Sequence, residues 1–439
     1  MGRALRRTLG GVALAGAVAI AAPFLVPVSH FIPELTRVAS EKLGQPVSIE
    51  ELTLHLVPIP RIVARRITVG SKAQVLIGEL EIEPDLLSLL RGPRSVRLIR
   101  ADRVAIDEAA LLIPRGMPKG RPGEPVLVRR LVLTTVKLNH SKLDLPLFDV
   151  DMLLGEGLHV REARVETRDG SLKLLAEASG PGAAISVLLS ATNWTLPIGA
   201  PLIFDVLAAQ GTLHGQQLDV GRIEAELYGG KLVGAAQADW GKQWQLTGKA
   251  QLAGVDLVSV QKALGRAGRL SGRLKADAAF STNAKTPAEL RDGLIVDGPF
   301  EVVGGIYRGV DLSRVGELAG ERRSGDATTF EELKGNLELR GQHVKLNQLC
   351  MRSPKIVAGG NVEISADKSL SGRLDISMAQ TGGFVGVPVA LGGTTDEPSM
   401  RPSKGYLIGV AIGTVLLPGL GTSIGSSLGG QIERTSDCK

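Results

Sequence analysis

The sequence predicts a mainly β protein: an N-terminal transmembrane helix followed by a long curled antiparallel β-sheet, an open groove with a few short helices. Three observations predict it. An uncharged run, Leu9 to Val28, follows Arg3, Arg6 and Arg7. Beyond it, apolar and polar residues alternate with a period of two, the signature of strands with one buried face. The helical stretches are too few to cover the apolar side of such a sheet, so it must curl on itself as a barrel or a folded trough.

The uncharged run reaches roughly 30 Å as a helix, the depth of a bilayer's hydrocarbon core. Leu9, Leu14, Ile20, Phe24 and Val28 are its lipid-facing anchor candidates. The basic residues before it favour the cytoplasmic side, which places the bulk of the chain across the membrane, in a bacterium the periplasm. A cleaved signal peptide is the rival reading, with Ala19 and Ala21 near a cleavage site, but the run exceeds an h-region and lacks a polar c-region. Both readings export the chain. Residues 1–28 are thus expected to be a cytoplasmic stub and anchor, and 29–47 an amphipathic helix at the groove mouth. In that helix Leu35, Val38, Ala39 and Leu43 share one side and Gly44 is the stop.

From Ile49 the period changes to two, with a turn at Val57-Pro58-Ile59-Pro60, and residues 48–290 are read as the β-groove. Residues 291–400 are read as a C-terminal β region. Alternation is cleanest at Leu131 and Leu133, Leu218 and Val220, Trp244 to Leu252, Val344 and Leu346, Val362 and Ile364, and Leu374 to Met378. Glycine-bearing turns such as Tyr228-Gly229-Gly230 and Asp239-Trp240-Gly241 separate the runs, as in an antiparallel meander. Helical interruptions are expected at Pro84–Leu90, Val255–Leu264 and Val310–Leu318. Roughly 25 strands about 4.8 Å apart would form a trough about 120 Å long. Its apolar lining is expected to include Leu131, Leu133, Leu218, Val220, Leu246, Leu252, Leu374 and Ile376.

The tail, 401–439, is rich in glycine and carries no charge from Gly405 to Ile432. Gly405, Gly409 and Gly413, then Gly421, Gly425 and Gly429, recur every four residues and on a helix make a strip for close backbone approach. A membrane hairpin bent at Pro418, a helix plugging the apolar end of the trough and a flexible Gly/Ser segment are all compatible with that pattern.

Composition excludes several functions. Aromatic residues are 3% of the chain and the net charge is only +6, which leaves little stacking surface for nucleic acid. Arg91, Arg94, Arg97, Arg100 and Arg103 lie among alternating apolar residues and read as a solvated strand face rather than an anionic-lipid site. The six histidines are scattered without metal-ligand spacing, so neither a metal nor another cofactor is expected. Cys350 and Cys438 lie far apart, the second in a tail expected to be mobile, and no structural disulfide is expected. Gly421-Thr422-Ser423-Ile424-Gly425 matches a nucleophile elbow, but no histidine follows Ser423 as hydrolase order requires, and no enzyme activity is expected.

Leu43-Gly44-Gln45-Pro46-Val47 with Leu56-Val57-Pro58-Ile59-Pro60 resembles the opening of the AsmA family. Glu226 to Lys231, Gly309 to Leu312, Thr329 to Gly335, Pro388-Val389 and Asp396-Glu397-Pro398 resemble its middle and end. The resemblance implies an inner-membrane protein facing the periplasm, with a β-groove for phospholipids and a role in outer-membrane assembly and envelope lipid homeostasis. The expected function is therefore a single-pass, inner-membrane-anchored protein that shields or conducts acyl chains. The alternative is a scaffold or chaperone that regulates protein targeting to and insertion into the outer membrane, capturing client strands at its sheet edges.

Overall fold

The computed structural model describes residues 32–86, 88, 95–111, 127–139, 145–156, 159–197, 201–312, 326–378, 386–403 and Cys438. The expected membrane anchor, the glycine strip and the Ser423 motif lie outside the described residues. Among the described residues, no helix is long and apolar enough to cross a membrane. The described residues are mainly β, with 22 strands, and the chain divides into two compact units at residue 189/190.

The first unit opens on α1, Ile32–Leu43, the amphipathic helix expected there. Arg37 donates to Glu34 at 2.6 Å and to Glu41 at 2.7 Å on its exposed side, while Ile32 and Ala39 pack against Val47, Leu52, Ala64 and Ile67. Gly44 follows at φ +65°, a left-handed stop that glycine takes without Cβ strain. The strands are β1 (Val47–His55), β2 (Arg61–Val69), β3 (Val75–Pro84), β4 (Ser95–Asp107), β5 (Leu127–Val128), β6 (Arg130–Asn139), β7 (Phe148–Leu154), β8 (Val160–Thr167) and β9 (Leu172–Ala178). β10, Ile185–Thr195, spans the boundary between the units.

β1 to β4 pair antiparallel in sequence order, and so do β6 to β9. The expectation of a wholly antiparallel sheet is corrected between these runs. β4 lies parallel to β6, with Ile99 opposite Leu131 and Ala101 opposite Leu133. Parallel neighbours need a return connection of a dozen or more residues, and the chain between Asp107 and Leu127, which begins as the helical turn α2 (Glu108–Leu111), has that length. Leu133 packs on the buried group Ala101, Val104 and Val136.

The second unit is a meander: β11 (Ile203–His214), β12 (Gln217–Leu227), β13 (Gly230–Asp239), β14 (Trp244–Asp256), β15 (Arg273–Ala284), β16 (Ile295–Arg308), β17 (Ala327–Arg340), β18 (His343–Arg352), β19 (Ile356–Ile364), β20 (Leu370–Met378), β21 (Gly386–Gly393) and β22 (Pro398–Pro402). Each strand pairs antiparallel with the next. The strands carry one apolar face. In β14, Trp244, Leu246, Ala250 and Leu252 are half-buried and the intervening Gln245, Thr247, Lys249 and Gln251 are exposed. Gly305 lies opposite Phe330, which is 1% exposed, and a Cβ added to Gly305 would lie 2.3 Å from the ring. Gly305→Val is therefore expected to destabilise the unit by about 1–3 kcal/mol through overpacking. Urea unfolding checks this, and an unchanged midpoint would contradict the packing.

The α-helix of this unit, α3 (Leu257–Ala263), falls where the sequence predicts one, between β14 and β15. Asp256 caps it: its carboxylate accepts from the Ser259 backbone N–H at 2.9 Å and hydroxyl at 2.6 Å. The interruption expected at Val310–Leu318 is described only as far as Leu312, and there Val310 and Leu312 join Ile356, Ala358, Ile376 and Val389 in a buried core.

The expectation of no disulfide is also corrected. Cys350 and Cys438 are bonded, with Cα atoms 5.3 Å apart, inside the range a disulfide spans. Residues 88 positions apart are brought together by the fold, which the spacing of two cysteines in a sequence cannot reveal.

Candidate functional site

Within the second unit a cavity of about 800 Å³ lies between the apolar face of β17 to β22 and the cap formed by α3 and the loop after it. The sheet builds its wall by register. Leu333, Met351 and Ala358 stand opposite one another across β17, β18 and β19, and Leu391 and Met400 across β21 and β22. Leu346 also lines the wall, although it lies an odd number of residues from Leu349 and would fall on the other face of a regular strand. A bulge between Leu346 and Leu349, with Gln348 at φ +51°, resets the alternation so that both reach the cavity.

The cap is anchored at both ends. The Gln261 side chain donates to the Leu257 carbonyl at 2.8 Å and to the Leu270 carbonyl, and accepts from the Leu270 N–H at 3.3 Å. Leu270 then bridges to Tyr307. From the loop, Arg269 Nη2 donates to the Asp396 carbonyl oxygen at 2.6 Å, so the β14–β15 connection reaches the β21–β22 turn. That contact shows that the second unit's sheet curls around the cavity.

The Ser259 hydroxyl and N–H hold the Asp256 carboxyl below its ordinary value of 3.8. A depressed folded-state pKa contributes stability that is present above the unfolded value and lost as pH falls through the folded one. Asp256→Ala is expected to cost about 1 kcal/mol at pH 7, a difference that shrinks as pH drops below 3.8. Urea unfolding of the two proteins at several pH values measures it; a difference independent of pH would contradict this role.

The interior is hydrocarbon and the mouth is charged. Arg266, Arg269 and Lys368 line the site with a single carboxylate, Asp396. Lys368 pairs with Asp396 at 3.4 Å, both well exposed. Arg269 Nη1 is shielded from solvent and makes no hydrogen bond.

A second hollow, of about 840 Å³, opens on the opposite face over β13 to β18. Lys231, Lys275 and Lys334 line it, and two of them face glutamates: Lys275 pairs with Glu301 at 3.1 Å and Lys334 with Glu332 at 3.7 Å. Cys350, in register with Lys334 and Gly359, belongs to this face, so the disulfide fixes Cys438 on the side of β18 away from the cavity.

Of the groove residues expected from sequence, Leu374 lines the cavity and Ile376 lies in the core packed beside it. Leu252 borders the second hollow. Leu218 and Leu246 flank Ala238, and Val220 stands opposite Ala236, all on the apolar face of β12 to β14 and outside the cavity. Leu131 and Leu133 belong to β6 of the first unit. Sequence reasoning had marked the alternation of Leu346, Val362 and Ile364 without assigning them to a site. Leu333, Met351, Leu391 and Met400 it missed, since only the register brings them together.

Among the described residues, no group of histidine, cysteine and carboxylate side chains could hold a metal ion. An apolar wall of this kind takes hydrocarbon out of water. Comparison of the chain with protein-family models, characterised proteins and solved structures finds no match.

Proposed function

We propose that this protein binds the acyl chains of membrane lipids and, anchored by Leu9 to Val28 in a bacterial inner membrane, shields or conducts them on the periplasmic side in support of outer-membrane biogenesis. The observation that carries this reading is the apolar cavity under the cap of the second unit. Each methylene moved from water to that wall gains about 0.8 kcal/mol, with no directional bond to fix its position, so a chain is held yet free to slide. The volume lies within the range of small-ligand sites. The Cys350–Cys438 bond supports export, because disulfides persist in oxidising compartments. The AsmA-family resemblance supports the same location and ligand class.

The scaffold or chaperone alternative needs a sheet edge that accepts a client strand. β22 begins and ends with proline, Pro398 and Pro402, which carry no N–H to donate to an added strand, and this disfavours strand capture at that edge. Native mass spectrometry of the purified full-length protein tests it: co-purifying lipid is expected, whereas a lipid-free protein carrying bound peptide would replace this reading with the alternative.

A further inference from the structure

We propose that the cavity mouth is an anion subsite, in which Arg269, flanked by Arg266 and Lys368, holds the anionic head of an amphiphile whose hydrocarbon chain occupies the cavity. The proposal rests on the reading that the cavity takes hydrocarbon, and adds the charge of its ligand.

The observation behind it is the state of Arg269. Its Nη2 is bonded to a neutral carbonyl, that of Asp396, while its Nη1 is shielded from solvent without any acceptor. A shielded donor on a permanent cation is costly unless an acceptor arrives, and an anion is the acceptor that also compensates the charge. The nearby carboxylate does not serve, because Asp396 pairs with Lys368 instead. The mouth thus carries three cations against one carboxylate. In the second hollow of the same unit two of three lysines, Lys275 and Lys334, face glutamates, whereas at the mouth only Lys368 of three cations faces a carboxylate.

Geometry adds to charge. Arg269 is held in place: its backbone carbonyl accepts from the Arg308 N–H at 2.9 Å, and Gln261 clamps the adjoining Leu270. A guanidinium so fixed presents a planar fork that suits the paired oxygens of a carboxylate or phosphate. Leu264 and Leu270, on the same loop, line the apolar cavity, so a head at Arg269 and a chain among leucines belong to one molecule.

The test measures displacement of the neutral fluorophore N-phenyl-1-naphthylamine from the full-length protein in peptidiscs by hexadecyl phosphate, by uncharged hexadecanol and by inorganic phosphate. Hexadecyl phosphate is expected to bind at least about tenfold tighter than hexadecanol, and inorganic phosphate to displace nothing. Arg269→Gln with Arg266→Gln should abolish the preference, bringing the ratio of the two affinities to about one, and Arg269→Lys should keep part of it. Equal affinity of the two amphiphiles in the wild type, or a preference that survives the double glutamine variant, overturns the subsite while the hydrocarbon reading stands. Displacement of neither kind overturns both.

Discussion

Leu346→Glu combined with Leu374→Glu is expected to abolish lipid loading, reducing it by at least about 100-fold, while the far-ultraviolet circular dichroism keeps its β signature. The two side chains lie on β18 and β20, both line the cavity and both are half-buried, so each carboxylate would be placed where hydrocarbon must sit. An unpaired charge in an apolar site costs several kcal/mol, and a ligand without a cation to offer cannot compensate it. Both positions are half-buried rather than sealed, so the empty protein tolerates what a filled cavity would not. The matched control is on the other face of the same strands. Lys345→Gln with Arg373→Gln alters exposed residues one position away and should leave loading unchanged. Extraction of the purified proteins and quantitation of bound lipid reads both. Equal loss in the two pairs would mean that the effect is on the fold and not on the cavity.

Loss of the Cys350–Cys438 bond is expected to lower the thermal midpoint of the second unit on the order of 10 °C. Closing a loop of 88 residues removes about 4–5 kcal/mol of chain entropy from the unfolded state on the loop-length model, and a unit of this size shifts by roughly 2–4 °C per kcal/mol. Cys350→Ser with Cys438→Ser and reduction of the wild type should give the same shift, and reduction should have no effect on the double variant. Because Cys438 is fixed on the face of β18 away from the cavity wall, neither treatment should change lipid affinity. Coincident oxidised and reduced midpoints would mean that the pair is not bonded in solution.

Local physics wrote much of this fold into the sequence. Alternation along β14 and β20 shows which side chains share a face, Gly44 marks the end of α1, and the apolar spacing of residues 255–264 announces α3. The turn Asp239-Trp240-Gly241 is likewise local, with the Asp239 carboxylate accepting from the Gly241 N–H at 2.8 Å. Each of these depends on interactions among neighbours, and neighbours are what a sequence displays.

What the sequence hid depends on distant residues. The parallel pairing of β4 with β6 is decided by the path of the chain after Asp107, and the disulfide by the fold bringing β18 to Cys438. The cavity was legible only in part. Leu374 was found because β20 alternates without interruption, whereas Leu349 escaped because the bulge before it breaks the rhythm of β18. Leu218, Val220 and Leu246 share the apolar character of the cavity wall, yet lie on strands that the cap does not cover. Arg269 had no signature at all. Its importance comes from the Asp396 carbonyl, 127 residues away, which fixes one end of the guanidinium and leaves the other end shielded.

Photocrosslinking from single positions in living cells tests the central claim most directly. With p-benzoyl-phenylalanine at position 374, on the cavity wall, irradiation should yield protein covalently joined to acyl chains, and with the same residue at position 373, on the opposite face, it should not. Lipid adducts that are equal at both positions, or absent from 374 while protein adducts form there, would contradict a lipid-binding cavity.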